Sequence, residues 1–229
     1  MKKLVVLTGA GISAESGIRT FRDAGGLWES YRVEEVASPE GWAANPELVL
    51  NFYAKRREEL LKTVPNEGHL SLARLQDSFQ VEIITQNIDN LHEQAGSNHV
   101  LHLHGELNKV CSTGDSSYIV TLPSQAPYIH LGDTCPRGYQ LRPFVVWFGE
   151  PVPAIEQAIE IVQQADLFAI VGTSMNVYPA AGLINYLPLE VPIYLIDPKL
   201  VTTPYNRRIT FIQQPASIGV PLMEAKLLS

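Results

Sequence analysis

Three groups of residues in this 229-residue chain have the types and positions to do chemistry. His104 closes the run Val100-Leu101-His102-Leu103 and precedes Gly105. An imidazole at a strand end beside a glycine can face a cleft, and its intrinsic pKa suits proton transfer near neutral pH. His102 would share that face of the strand, and either histidine could equally be structural. Gln86, Asn87 and Asp89 stand directly behind the apolar run ending at Ile84 and Thr85. Open α/β sheets bind ligands beyond the carboxyl ends of their strands. This trio both donates and accepts hydrogen bonds, as an amide such as nicotinamide requires. The alternative is an Asx turn that starts the next helix. Tyr53 and Arg56 stand at i and i+3 in a helical pattern, so they can point to the same side. A guanidinium there can take a carboxylate bidentately, or it can simply face water.

Other motifs belong to nucleotide binding. Leu4-Val5-Val6-Leu7 runs into Gly9-Ala10-Gly11-Ile12-Ser13-Ala14, the strand–turn–helix opening of a dinucleotide site. In that reading Gly9 permits the turn, Gly11 lets the backbone approach a pyrophosphate, and the N–H groups at the helix start face the phosphate charge. A glycine-rich loop follows, with Phe21 to cover a ring, Arg22 to reach a phosphate, and Trp28 at its end. Gly172-Thr173-Ser174 follows a second apolar run, and Asp197 ends a third, where a carboxylate can hold ribose hydroxyls. In an ordinary dehydrogenase the acidic residue comes soon after the first helix. Here it comes far later, which argues against hydride transfer.

These residues need a frame. Short apolar runs predict strands at Leu4–Thr8, Val81–Thr85, Val100–Leu103, Phe144–Trp147, Leu167–Val171 and Ile193–Ile196. Helical patterns lie between several of them: Pro46 to Leu61 behind Asn45, His69–Asp77, Val152–Ala165 and a start at Pro179. The alternation predicts an α/β fold, a Rossmann-like doubly wound parallel sheet with an inserted small subdomain. The whole chain, 1–229, reads as one catalytic domain, with a large part at about 1–26, 59–106 and 143–229. The small part takes a helical segment at about 27–58 and a Ser-, Gly- and Pro-rich segment at about 107–142, with a strand-like Tyr118–Leu122.

Composition narrows the partners. A net charge of -7 argues against nucleic acid. The apolar run after Lys2 and Lys3 is too short for a signal peptide, and no stretch approaches the roughly 20 apolar residues of a membrane span. The charge also fits an enzyme that meets basic substrates, and a cytoplasmic protein, with a monomer favoured, is expected. Two cysteines, Cys111 and Cys135, make no disulfide framework.

In their order along the chain, Gly9–Ser13, Ser16-Gly17-Ile18, Phe21-Arg22, Gln86–Asp89, His104-Gly105, Val145–Glu150 and Gly172–Ser174 resemble the sirtuin family of NAD-dependent protein lysine deacylases. The resemblance implies that NAD is consumed as a co-substrate. Gly9, Ala10, Gly11, Ile12, Ser13, Phe21, Arg22, Trp28, Gln86, Gly172, Thr173, Ser174 and Asp197 would then bind NAD, and Asn87, Ile88 and Asp89 would line the nicotinamide pocket. His104 would be the general base. Val145, Trp147, Phe148 and Gly149 would meet the substrate, their segment pairing with its backbone as an added strand. Tyr53 and Arg56 look like the Tyr-x-x-Arg pair of the class that removes succinyl and malonyl groups. Sirtuins usually carry a zinc ribbon of two Cys-x-x-Cys pairs, but here Gly114 and Gly138 replace the second cysteine of each. His130 or Asp133 could only improvise a ligand, so no structural zinc is expected, and Cys111 and Cys135 should lie near each other. The remaining readings are a mono-ADP-ribosyltransferase and a non-catalytic NAD or ADP-ribose binding module. His104 speaks against the latter, since binding alone requires no base.

Overall fold

The computed structural model describes residues 1–18, 31–126, 128–173, 177–200 and 208–229. A six-stranded sheet forms the centre. Its strands are β1 (Lys3–Thr8), β2 (Gln80–Thr85), β3 (Val100–His102), β7 (Leu167–Val171), β8 (Ile193–Ile196) and β9 (Ile209–Ile212), in the spatial order β3-β2-β1-β7-β8-β9. All five pairings are parallel. The order reverses at β1, between β2 and β7, which is where such sheets open a crevice at their carboxyl ends.

Alternation along the strands builds two cores. Val5 and Leu7 join Phe168, Ile170, Ile193 and Leu195 on one face, under Ala158 and Val162 of α7 (Ile155–Gln163) and Leu183 and Ile184 of a 3₁₀ segment. Leu4, Val6, Ile83, Ala169 and Val171 face the other way, against Ile12 of α1 (Ala10–Ala14), Leu72 of α5 (Glu67–Arg74) and Val220 and Met223 of α8 (Ala216–Leu228). A sheet covered on both faces reads as continuous apolar runs, which is why five of the expected strands are found.

The sixth expected strand, Phe144–Trp147, does not join this sheet. The strand there is β6 (Leu141–Val145), antiparallel to β4 (Gly105–Ser112), which also pairs with β5 (Ile119–Thr121). This small sheet, ordered β5-β4-β6, therefore reaches outside the 107–142 boundary at both ends. β4 escapes the period-two pattern because its register shifts between Gly105 and Val110, so Leu107 and Val110 are both buried at a spacing of three. β9 and α8 were also not expected. β9 is short and half-exposed, and α8 has apolar residues all round, with Ile218 and Leu222 exposed and Val220 and Met223 buried.

Against the small sheet and the segment behind β2 lie α2 (Val33–Val36), α3 (Pro39–Ala44) and α4 (Pro46–Leu60). α4 starts where Asn45 Oδ1 accepts from Leu48 N at 3.0 Å, with Pro46 in its first turn. Its buried side, with Phe52, Tyr53 and Leu60, packs on Ile88, Leu107, Val145 and Trp147. A short α6 (Leu91–Gln94) follows β2. Among the described residues no helix is long and apolar enough to cross a membrane.

Candidate active site

The turns after β1 and β7 interlock. Gly9 N–H donates to Val171 O at 3.0 Å and Gly11 N–H to Gly172 O at 2.8 Å. A Cβ on Gly11 would sit 2.7 Å from Gly172 Cα, and one on Gly9 would sit 2.7 Å from Thr173 Cβ. Gly172 also adopts φ +61°, where side chains are strained. This corrects the roles expected for the first turn. Gly9 has an ordinary extended φ of -130° and is needed for space, not for turning. Gly11 brings backbone to backbone, its N–H donating to Gly172 O.

Beneath this turn lies a buried polar network. Asn87 Nδ2 donates to Gly9 O and to Ser13 Oγ, both at 3.1 Å, and Ser13 Oγ donates to Asp89 Oδ2 at 3.0 Å. Asp89 Oδ1 accepts from Leu91 N at 3.2 Å, so the Asx-turn reading also holds. Burial raises the Asp89 carboxyl above its usual range, against the bonds from Leu91 and Ser13. His69 Nδ1 accepts from Asn66 N at 3.4 Å, which leaves Nε2–H to face Ser13 Oγ at 3.5 Å. His92 Nε2 meets Thr8 Oγ1 at 3.0 Å, and Thr8 in turn donates to Thr85 Oγ1 at 2.8 Å. Burial drives His69 down to about 4 and His92 well below an ordinary imidazole, so both are neutral at pH 7. Sequence reasoning did not single out His69 or His92. Each is a lone histidine in an apolar pattern, and only the strand ends bring them together.

Ala10, Ser13, Asn87, Ile88, Asp89 and Arg56 line one cavity. Residues read separately as nicotinamide-binding and acyl-binding thus share a wall. The donor set fits a carboxamide: each Asp89 oxygen accepts only one bond and has lone pairs to spare. Arg56 is nine-tenths buried there, and its neighbour Arg57 turns the other way, Nε donating to Leu107 O at 2.5 Å. Tyr53 is not on the cavity wall. Its hydroxyl lies deeper and accepts from Trp147 Nε1 at 3.1 Å. Gln86 Nε2 donates to Thr173 Oγ1 at 3.1 Å, bridging the ends of β2 and β7. Asp197, behind β8, accepts from Lys199 N at 2.8 Å. Phe21, Arg22, Trp28 and Ser174 lie outside the described residues.

The two candidate bases separate cleanly. His104 Nδ1 faces Gln86 O at 2.9 Å, and a carbonyl only accepts. Nδ1 therefore carries the proton and Nε2 keeps a lone pair. Burial pulls the imidazolium pKa below its ordinary value, against the Gln86 carbonyl, which favours the free base at neutral pH. His102 meets acceptors with both nitrogens, Asn87 O at 2.9 Å and Glu93 Oε1 at 2.8 Å. Burial pulls it down, but the Glu93 bond and charge outweigh that and raise it, so His102 is held as a structural cation. Of the two, only His104 can accept a proton.

The Val145–Glu150 segment, expected to pair with the substrate backbone, leaves β6 at Val145 and bends. The amides of Val146, Trp147 and Phe148 already donate to His104 O, Glu150 Oε2 and Ala37 O at 2.9, 2.8 and 3.0 Å. Gly149, at φ +92°, and the half-exposed Phe148 ring are what remain turned outward.

The Sir2 family model matches residues 9–179. The chain belongs to the Sir2 family. It is 56% identical over 231 residues to a protein of Bacteroides thetaiotaomicron named NAD-dependent protein deacylase, covering 100% of this chain and 99% of that one. A Helicobacter pylori protein of the same name is 48% identical over 228 residues, covering 100% and 96%. Among solved structures, a Sir2 homolog–NAD complex matches with TM-score 0.86 at 39% identity, covering 100% of this chain and 91% of that one. A Sir2 protein bound to acetylated peptide matches with TM-score 0.78 at 29% identity, covering 99% and 94%.

Among the described residues no group of three or more His, Cys, Asp or Glu side chains could hold a metal ion. The side chain that meets Cys135 is Ser112, whose Oγ donates to Sγ at 3.3 Å and accepts from Gly114 N and Asp115 N at 3.2 and 3.1 Å. Cys111, one residue earlier on β4, points to the opposite face, towards Pro143 O. The ring of Tyr139 occupies the space a side chain on Gly114 would need, within 2.6 Å of its Cβ position. His130 and Asp133 form a local turn, His130 N donating to Asp133 Oδ2 at 2.7 Å.

Proposed function

We propose that this Sir2-family enzyme is an NAD-dependent protein-lysine deacylase that removes succinyl and malonyl groups in preference to acetyl. The observation that carries the preference is the cavity shared by Arg56 with Ala10, Asn87, Ile88 and Asp89. Burial makes the Arg56 guanidinium costly to keep charged, with Tyr53, Glu59 and Asp89 opposing that cost. A carboxylate arriving on the substrate would add charge-assisted hydrogen bonds, each worth about 1.5–3 kcal/mol. An acetyl group offers none.

NAD, as co-substrate, supplies an electrophilic ribose carbon and the ribose hydroxyls that take over the acyl group. Asn87, Ile88 and Asp89 hold the carboxamide of the departing nicotinamide. His104 Nε2 takes a proton from a ribose hydroxyl while Gln86 O holds Nδ1–H and fixes the ring. Phe148 and Gly149 meet the peptide beside the modified lysine. The acyl oxygen displaces nicotinamide from the ribose carbon, the deprotonated ribose hydroxyl then takes the acyl carbon, and one water completes the transfer, so the products are the free lysine, nicotinamide and an O-acyl-ADP-ribose.

The test is a pair of peptides, acetyl- and succinyl-lysine, assayed with NAD by mass spectrometry. Arg56→Met should lower kcat/KM for the succinyl peptide by roughly ten- to a hundredfold, the kinetic equivalent of about 1.5–3 kcal/mol. The acetyl peptide should lose far less. An equal loss on both would assign Arg56 to the fold or to NAD. ADP-ribosylated protein without deacylated peptide would overturn the reaction itself.

A further inference from the structure

We propose that His102 is a positioning residue for the nicotinamide pocket: braced by Glu93, its ring holds the Asn87 carbonyl, and with it the loop that meets the carboxamide. The inference rests on the assignment of Asn87, Ile88 and Asp89 to nicotinamide made above and adds a residue that does not itself line the cavity.

Three consecutive carbonyls of that loop are held by the chain that follows it. His104 Nδ1 meets Gln86 O at 2.9 Å, His102 Nδ1 meets Asn87 O at 2.9 Å, and Leu107 N donates to Ile88 O at 2.7 Å. The three donors differ in what they require. The Leu107 amide is permanent. His104 needs only one ring proton and keeps its Nε2 lone pair. His102 needs two, because its Nε2 meets Glu93 Oε1 at 2.8 Å and both of its partners only accept.

The surroundings keep both protons in place. The His102 side chain is 7% exposed. Burial opposes its charge, but the Glu93 bond and charge, the Asn87 carbonyl and Glu106 outweigh this and raise it. Glu93 approaches from α6, and Glu106 from β4, where it pairs with Lys109 at 2.6 Å. Asp89 of the loop feels the same charge, and so does His92 of α6, which stays neutral. When His102 loses its second proton, one ring N–H must serve two acceptors. The carboxylate makes the stronger bond, so the proton stays on Nε2 and the Asn87 carbonyl is released. The backbone of Asn87, whose side chain reaches Gly9 O and Ser13 Oγ, then loses a fixed point.

The test uses the full chain and reads the nicotinamide concentration that halves deacylation of an acetyl-lysine peptide, with the uninhibited rate measured beside it. His102→Leu should raise that concentration roughly three- to tenfold at pH 6, the scale of one hydrogen bond. The wild type should show a rise of the same size on alkalinisation, at the midpoint where nitrogen NMR sees His102 lose its second ring proton. Glu93→Gln should abolish that rise: its amide donates to Nε2, so a neutral His102 keeps Nδ1–H on the Asn87 carbonyl. A merely structural pair would give both variants the same defect at every pH. The proposal is overturned by an unchanged concentration in His102→Leu, by no wild-type rise across the NMR midpoint, by a rise that persists in Glu93→Gln, or by a single ring proton on His102 at pH 6. The last three do not need the leucine variant to fold. Asn87→Ala separates the failures. If it raises the concentration while the His102 and Glu93 results go against the proposal, the pocket assignment stands and the role of His102 falls; if it too leaves the concentration unchanged, both fall.

Discussion

The network at the strand ends and the hub in the small sheet both bury polar groups, but with different reach. At the strand ends, Ser13 of α1, His69 of α5 and the stretch behind β2 that carries Asn87, Asp89 and His92 hold one another across 56 to 78 residues of chain, as in the Ser13–His69 and Asn87–Gly9 bonds. In the small sheet, Ser112 gathers Gly114, Asp115 and Cys135, within 23 residues. Breaking the first disturbs the catalytic cleft and the core together, because the same bonds serve both. Breaking the second loosens one local turn, and the chemistry some distance along β4 and beyond should barely notice.

The largest expected effect lies in the cleft. His104→Ala should lower kcat for deacylation by roughly 10²–10⁴, the usual worth of a general base. NAD affinity, measured by calorimetry, should stay within a few-fold, because the base acts after binding. The acid limb of the wild-type rate should fall below the ordinary imidazole pKa, since burial of His104 disfavours its charged form. Near-normal turnover in the variant would break the contrast drawn between His104 and His102.

Acidification probes the network as a structure. His69 titrates near 4 in the fold against an ordinary 6.5. Between those values the unfolded chain binds the extra proton and the fold does not, so stability falls as pH is lowered. Its share is complete above about pH 6.5, is lost through that window, and amounts to about 3 kcal/mol at one proton and 1.36 kcal/mol per unit. His92 shifts in the same direction and adds to the loss. Urea midpoints from pH 7.5 to 4.5 would measure it, and His69→Gln should flatten the curve. A flat wild-type curve would show these histidines are not buried neutral.

The smallest effect belongs to the small sheet. Ser112→Ala removes the acceptor for two N–H groups and should cost about 1–2 kcal/mol, a few degrees in Tm for a chain of this size. The ratio of succinyl to acetyl turnover should not change. Chelators should leave Tm unaltered, and elemental analysis should find far less than one zinc per chain. Stoichiometric zinc, or a large loss of deacylation in Ser112→Ala, would erase the difference in reach between the two regions.

Local patterns are strong where neighbours in sequence are also neighbours in space. Five of the six strands of the parallel sheet, α4 behind Asn45 and Pro46, the polar trio behind β2 and His104 behind β3 were legible, since apolar runs, caps and strand-end positions are short-range signals. The bulged β4, the half-exposed β9 and α8 were not, because a register shift or an all-round apolar helix leaves no clean period. The chain by itself also determined that Gly114 and Gly138 could not ligate zinc, since glycine has no donor. Only the tertiary structure decided which atoms fill that space, that Gly11 N–H reaches Gly172 O, and that His102 is held by Glu93 while His104 keeps a lone pair. It also turned Tyr53 towards Trp147, 94 residues away. Those choices depend on distances of about 3 Å between groups far apart in the chain, and hydrogen-bond direction at that range is set by packing that no local pattern encodes.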